Sequence, residues 1–73
     1  MNSYPRQETI DRLRKKYPAG TRVELVKMND PHAPKIGTLG TVIEVDDIGS
    51  LIMAWDNGSS LNVVYDEDIV KKI

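Results

Sequence analysis

Asn57-Gly58 lies between two apolar runs, in "LIMAWDNGSSLNVV" over residues 51–64, and constrains the fold more than any other pair in the chain. A two-residue type I′ hairpin needs positive φ at both central positions, and Asn followed by Gly adopts it with least strain. The pair therefore predicts two antiparallel strands closing on a tight turn. Alternation back from the turn puts Leu51, Met53 and Trp55 on one face, with Leu61 and Val63 as cross-strand neighbours. Trp55, the only tryptophan, reads as the centre of a core, and Asp56 as an acceptor for turn amides.

The texture on either side extends this reading. From Thr21 onward, short runs rich in Val, Ile and Thr alternate with glycine-bearing turns, which predicts strands near 22–28, 39–45, 50–56, 59–64 and 69–72. "MNDPHAPKIG" has two prolines and a glycine and reads as the one long loop, while "GTLGTV" is a tight lead-in to the second strand. "YDED" is short enough to be one helical turn before the last strand. Five short strands suggest a small barrel, because closure removes exposed edges.

Before Thr21 the pattern is helical. In "SYPRQETIDRLRKKYPAG", Pro5 suits the first turn with Ser3 or Tyr4 as cap, and Ile10, Leu13 and Tyr17 recur at i, i+3 and i+7. Arg12, Arg14, Lys15 and Lys16 crowd the helix end, where cations favour the dipole, and Pro18 stops the helix. The expected organisation is a helix over residues 1–19 and a barrel over 20–73.

Size and composition limit the chemistry. A chain of 73 residues buries only about 60% of the surface its unfolded form exposes, which leaves little room for a deep active site. There is no cysteine, and the only histidine, His32, lies in the proline-flanked "DPHAP". Neither carboxylate cluster, Glu44/Asp46/Asp47 or Asp66/Glu67/Asp68, has the spacing of a calcium loop, and Ser59 and Ser60 have no histidine nearby in sequence. The expectation is no catalytic residue, no metal and no cofactor. No run reaches the roughly 20 apolar residues of a membrane span, so the chain is expected in the cytoplasm with no membrane partner.

Charge is segregated along the chain. Residues 1–27 carry seven Lys and Arg against three acids, and residues 28–73 carry three against eight. The basic element either docks on the acidic body or has a partner of its own. Arg12, Arg14, Lys15, Lys16 and Arg22, with Tyr17 beside them, are the candidate nucleic-acid contact. Alternation also leaves Ile52, Ala54 and Val64, with Ile43, pointing outward as a candidate protein-binding face. The N-terminal helix is the nearest cover for that face, and another chain or a second copy of this one is the alternative.

"YPAGTRVELVKMNDPHAPKIGTLGTV" followed by "VDDIGSLIMAWDNGSSLNVV" resembles the small bacterial family known as domain of unknown function 4314, over about residues 17–73. That family occurs in Gram-positive bacteria, their phages and integrative elements. The resemblance implies a mainly β fold, a five-stranded SH3-like barrel preceded by one short N-terminal α-helix, and it carries no established activity or catalytic residue. SH3-like folds often bind extended segments in aromatic grooves, but with Trp55 in the core a sheet-face or edge contact is favoured here. The leading expectation is a non-enzymatic protein-binding or adaptor module. The second is a nucleic-acid-binding accessory protein of a mobile element.

Overall fold

The computed structural model describes residues 6–73. One helix, α1 (Gln7–Lys16), precedes four strands, β1 (Arg22–Lys27), β2 (Leu39–Val45), β3 (Leu51–Trp55) and β4 (Ile69–Lys72). They form a single antiparallel sheet in the order β3-β2-β1-β4, with β4 returning to pair with β1. The fold is mainly β with one helix, as expected, but the sheet is open and has four strands where a five-stranded barrel was expected.

The missing strand has a physical cause. Residues 59–64 run beside β3 and are pinned at both ends: Trp55 N–H donates to the Ser59 carbonyl (3.2 Å), and Leu51 and Val63 exchange two backbone hydrogen bonds (2.8 and 3.0 Å). Between these points the ladder is displaced by side chains. The Trp55 indole N–H takes the Leu61 carbonyl (2.8 Å), and Asn62 Oδ1 accepts from Met53 N–H (3.3 Å). The backbone groups that would complete a fifth strand are thus satisfied by two side chains, as buried polar groups must be.

The turn before this segment also differs from expectation. Trp55 and Ser59 close a three-residue loop, with Gly58 N–H donating to the Trp55 carbonyl (3.0 Å) and only Gly58 at positive φ, 91°. Asn57 stays out of the left-handed region, and its Oδ1 accepts from Ser59 N–H (3.0 Å). This is a type I turn with a glycine bulge rather than type I′. The β2–β3 turn closes in the same way, with Asp46 N–H to the Ser50 carbonyl and Gly49 at φ 85°.

Alternation places Val23 and Leu25 of β1 in the core with no exposed area, beside Gly40 and Val42 of β2 and Leu51, Met53 and Trp55 of β3. Two bulges then reverse the pattern. Val26 is the extra residue between the pairs Leu25–Val70 and Lys27–Ile69, and Ile43 between Val42–Met53 and Glu44–Ile52. Each extra residue turns outward, Val26 at 40% and Ile43 at 49% exposure, while Met28 and Val45 return to the core side.

The helix covers the inner face. Ile10 and Tyr17 join the core formed by Val23, Leu25, Val42, Val45, Leu51, Met53, Trp55 and Val63, with Leu13 packed against it. The expectation that α1 shields the outward Ile52 and Ala54 is therefore corrected, because those residues lie on the opposite side of β3 from its buried set. Arg14 fixes the docking, donating from Nε to the Val45 carbonyl (3.3 Å) and from Nη2 to Asp47 (2.9 Å). Helix geometry ends at Lys16, and Tyr17, before Pro18, has left the helical region at φ −125°, ψ 65°. The expected cap at Ser3 or Tyr4 and the first-turn Pro5 lie outside the described residues.

Gly40 sits directly across from Trp55, and a β-carbon there would lie 2.5 Å from the indole Cε3. Gly40→Ala is expected to lower stability by about 1–3 kcal/mol through overpacking. Gly58→Ala meets no atom within 4 Å and should lose about 1 kcal/mol from its left-handed backbone alone. Urea denaturation of the two variants checks this; a Gly40→Ala protein as stable as the parent would mean that the indole is not seated on β2.

Candidate binding groove

The segment after Val63 builds one bank of a groove whose other bank is α1. Asp68 Oδ2 accepts from Val64 N–H (2.8 Å), and the Val64 carbonyl accepts from Glu67 and Asp68 N–H (3.2 and 3.0 Å). Asp66 takes positive φ, 66°, so "YDED" forms a hydrogen-bonded turn rather than a turn of helix. The turn presents Tyr65, 44% exposed, toward the helix. Between the banks lies a hollow of about 240 Å³ with Leu13, Tyr17, Leu51, Val63 and Val70 as its apolar lining and Lys16 and Asp66 among its charged residues. A second hollow of about 230 Å³ adjoins it, shares Leu13, Lys16 and Tyr65, and adds Thr9 and Arg12.

Thr9, Arg12, Leu13 and Lys16 recur at the spacing of one helix face, so this bank was available to sequence reading alongside the Ile10, Leu13, Tyr17 stripe. The opposite bank was not, because Tyr65 and Val70 arrive only through the long-range return of β4 to β1.

The five basic residues singled out in the sequence do not form one surface. Arg22, on β1, makes a two-pronged pair with Asp56 (2.8 and 2.6 Å) and donates to Thr41 Oγ1 (2.9 Å). Asp56 therefore serves Arg22 across the sheet, not the turn amides. Arg14 is committed to Asp47 and the Val45 carbonyl. Arg12, Lys15 and Lys16 are exposed and make no ion pair among the described residues, and Lys16 Nζ lies 5.3 Å from the centroid of the Tyr17 ring.

The outward residues are also divided. Ile52 and Ala54 share one face of β3, and Ile43 stands in the bulge beside Ile52. Val64 lines a separate hollow of about 300 Å³ with Met28, Asn29, Leu61 and Asp68. The rest of the outer sheet face is mixed, with Arg22 opposite Thr41 and Glu24 between Leu39 and Lys71, the latter at 3.9 Å, and with Val26 turned outward at its bulge.

The carboxylate clusters do local structural work. Asp46 Oδ1 accepts from Ile48 and Ser50 N–H, as Asp68 does from Val64, and Asp30 Oδ1 accepts from the backbone of exposed His32. Among the described residues no three His, Cys, Asp or Glu side chains are grouped to hold a metal ion, and no helix is long and apolar enough to cross a membrane.

A comparison with family models matches residues 6–73 to the family described as Domain of unknown function (DUF4314). No curated protein and no solved structure matches the chain.

The Arg22 pair gives the fold a pH signature. Hydrogen bonds from Arg22 hold the Asp56 carboxyl below the ordinary aspartate range, assisted by the guanidinium charge and opposed by partial desolvation. A carboxylate with a depressed folded-state pKa stabilises fully above its unfolded pKa, and that contribution is lost as pH falls through the depressed value. Asp56→Asn should therefore lower Tm near neutral pH, and the gap to the parent should close as the solution is acidified below the ordinary aspartate pKa. Thermal melts across that range test it, and a gap independent of pH would assign the loss to packing.

Proposed function

The chain belongs to the DUF4314 family, and we propose that it is a small binding module, not an enzyme, which takes a segment of another protein into the groove between α1 and the 64–68 turn. The observation that carries this reading is the apolar lining of Leu13, Tyr17, Leu51, Val63 and Val70, bordered by Lys16 on one bank and Asp66 on the other. Specific sites combine such an apolar floor with a few polar groups that fix orientation. At about 240 and 230 Å³, each hollow is smaller than the roughly 300–1,000 Å³ of a small-molecule pocket and better matched to a side chain of a bound segment. In the same reading, the return of β4 to β1 and the bridged 59–64 segment are the open counterpart of an SH3-like barrel, and the groove lies outside its sheet.

A second reading, contact with nucleic acid through the helix, rests on Arg12, Lys15 and Lys16, which no carboxylate among the described residues neutralises. It predicts binding that weakens steeply with salt and involves none of the apolar lining.

The test is an amide-shift screen of the labelled chain against short peptides of varied composition. Shifts are expected at Leu13, Lys16, Tyr65, Asp66 and Val70, and Tyr65→Ala should weaken the best peptide by roughly fivefold or more, the loss typical of a contributing interface residue. Shifts gathered instead on Ile43, Ile52 and Ala54 would move the site to the outer sheet face and defeat the groove reading.

A further inference from the structure

We infer that the segment held in this groove carries one large apolar anchor with carboxylates on one side of it only. The inference rests on the groove being a protein-binding site and adds the chemistry of its occupant. The two adjoining hollows divide the work. The one over Leu51, Val63 and Val70 accepts the anchor, and the other, where Arg12 and Lys16 stand with Thr9, Leu13 and Tyr65 and no acid, accepts the carboxylates.

Charge complementarity selects this occupant. Arg14 and Arg22 are neutralised by Asp47 and Asp56 at 2.9 and 2.6 Å, away from the groove. Arg12 and Lys16 line the groove and make no ion pair among the described residues, with Lys15 exposed beside them on α1. Positive potential is thus left at one bank. The other bank carries Asp66 and Asp68, of which Asp68 accepts from Val64 N–H and Asp66 is exposed. Carboxylates on both sides of the anchor would place one set against Asp66, where like charges repel. Charge therefore changes sign from the hollow that holds Arg12 and no acid to the one that holds Asp66 and Asp68, and a segment laid across both is acidic on one side of its anchor only.

A nucleic-acid strand fits less well. The cations border aliphatic side chains, whereas single-strand binding uses a run of aromatic faces for stacking, and only Tyr65 is exposed here.

The experiment titrates the labelled chain with four probes: a blocked peptide with one leucine followed by a run of glutamates, the same peptide with the glutamates first, a lysine counterpart of each order taken together as one class, and a mixed-sequence single-stranded DNA. One of the two glutamate peptides is expected to shift Leu13, Lys16, Tyr65 and Val70. Arg12→Glu combined with Lys16→Glu, both exposed on α1, should weaken that peptide roughly five- to tenfold, the worth of two exposed ion pairs, and should turn the preference toward a lysine peptide. Circular dichroism of the double variant confirms that the helix persists. If a lysine peptide fills the groove of the parent chain as well as the glutamate ones do, the occupant's chemistry is wrong while the module reading stands. If neither glutamate peptide shifts the groove, the inference is overturned. If only the DNA acts, through Arg12, Lys15 and Lys16 without Leu51, Val63 or Val70, both readings give way to nucleic-acid contact.

Discussion

The contact on which the rest of the fold depends is the Trp55 indole laid across Gly40. A β-carbon at position 40 would enter the ring, so the close approach of β2 and β3 at this point requires a residue without a side chain. With the ring packed against Gly40 of the neighbouring strand, its N–H donates to the Leu61 carbonyl. That hydrogen bond, worth about 1 kcal/mol net, has a structural consequence larger than its energy. It pulls Leu61 out of a regular ladder, leaves Met53 N–H to Asn62, and delivers Val63 to its bridge with Leu51. Val63 and Leu51 then form part of the groove floor. The packing of one aromatic ring on one glycine therefore reaches the candidate site through three residues of chain.

The helix closes the same core from the other side. Ile10 and Tyr17 are nearly as buried as the strand residues they meet, and without them the inner faces of Val42, Val45 and Leu51 would be open at one end. For a chain of this size such cover matters, since an open sheet alone hides too little apolar surface to offset the entropy of ordering the backbone. The helix is thus part of the domain's core, and the groove lies along its flank, between α1 and the 64–68 turn.

Much of this was legible beforehand. The helix stripe, the stop before Pro18, the four strand cores, the burial of Trp55 and a chain reversal at Asn57-Gly58 all follow from local periodicity and turn chemistry. What was not legible depends on contacts distant in sequence. The bulges at Val26 and Ile43 reverse the inside-outside pattern, and strict alternation has no means of signalling an inserted residue. "DNGS" and "DIGS" both close with a glycine bulge, in which only the glycine needs positive φ, so the residue before it is free to be Asn or Ile alike. The fifth strand failed because side chains compete for backbone partners, an outcome set by where an indole N–H lands. For the site, the helix bank at Thr9, Arg12 and Lys16 was readable as a face, whereas Tyr65 and Asp66 join it only after β4 has paired with β1.

The charge asymmetry seen in the sequence acquires its meaning from the pairs that bridge the two halves. Asp47 and Asp56, both from the acidic part, reach back to Arg14 and Arg22 in the basic part, so docking consumes two of the basic residues that a linear reading would have pooled into one patch. Those two pairs hold α1 against the end of β2 and β1 against the β3 turn. Of the cations left over, Arg6, Lys15 and Lys27 lie outside the groove, whereas Arg12 and Lys16 line its second hollow and Lys16 also borders the first. Exposed charge alone is the common state of a helix surface and says little. What sets Arg12 and Lys16 apart is that they remain unmatched beside accessible apolar surface, in a domain that has matched its other helix arginine, Arg14.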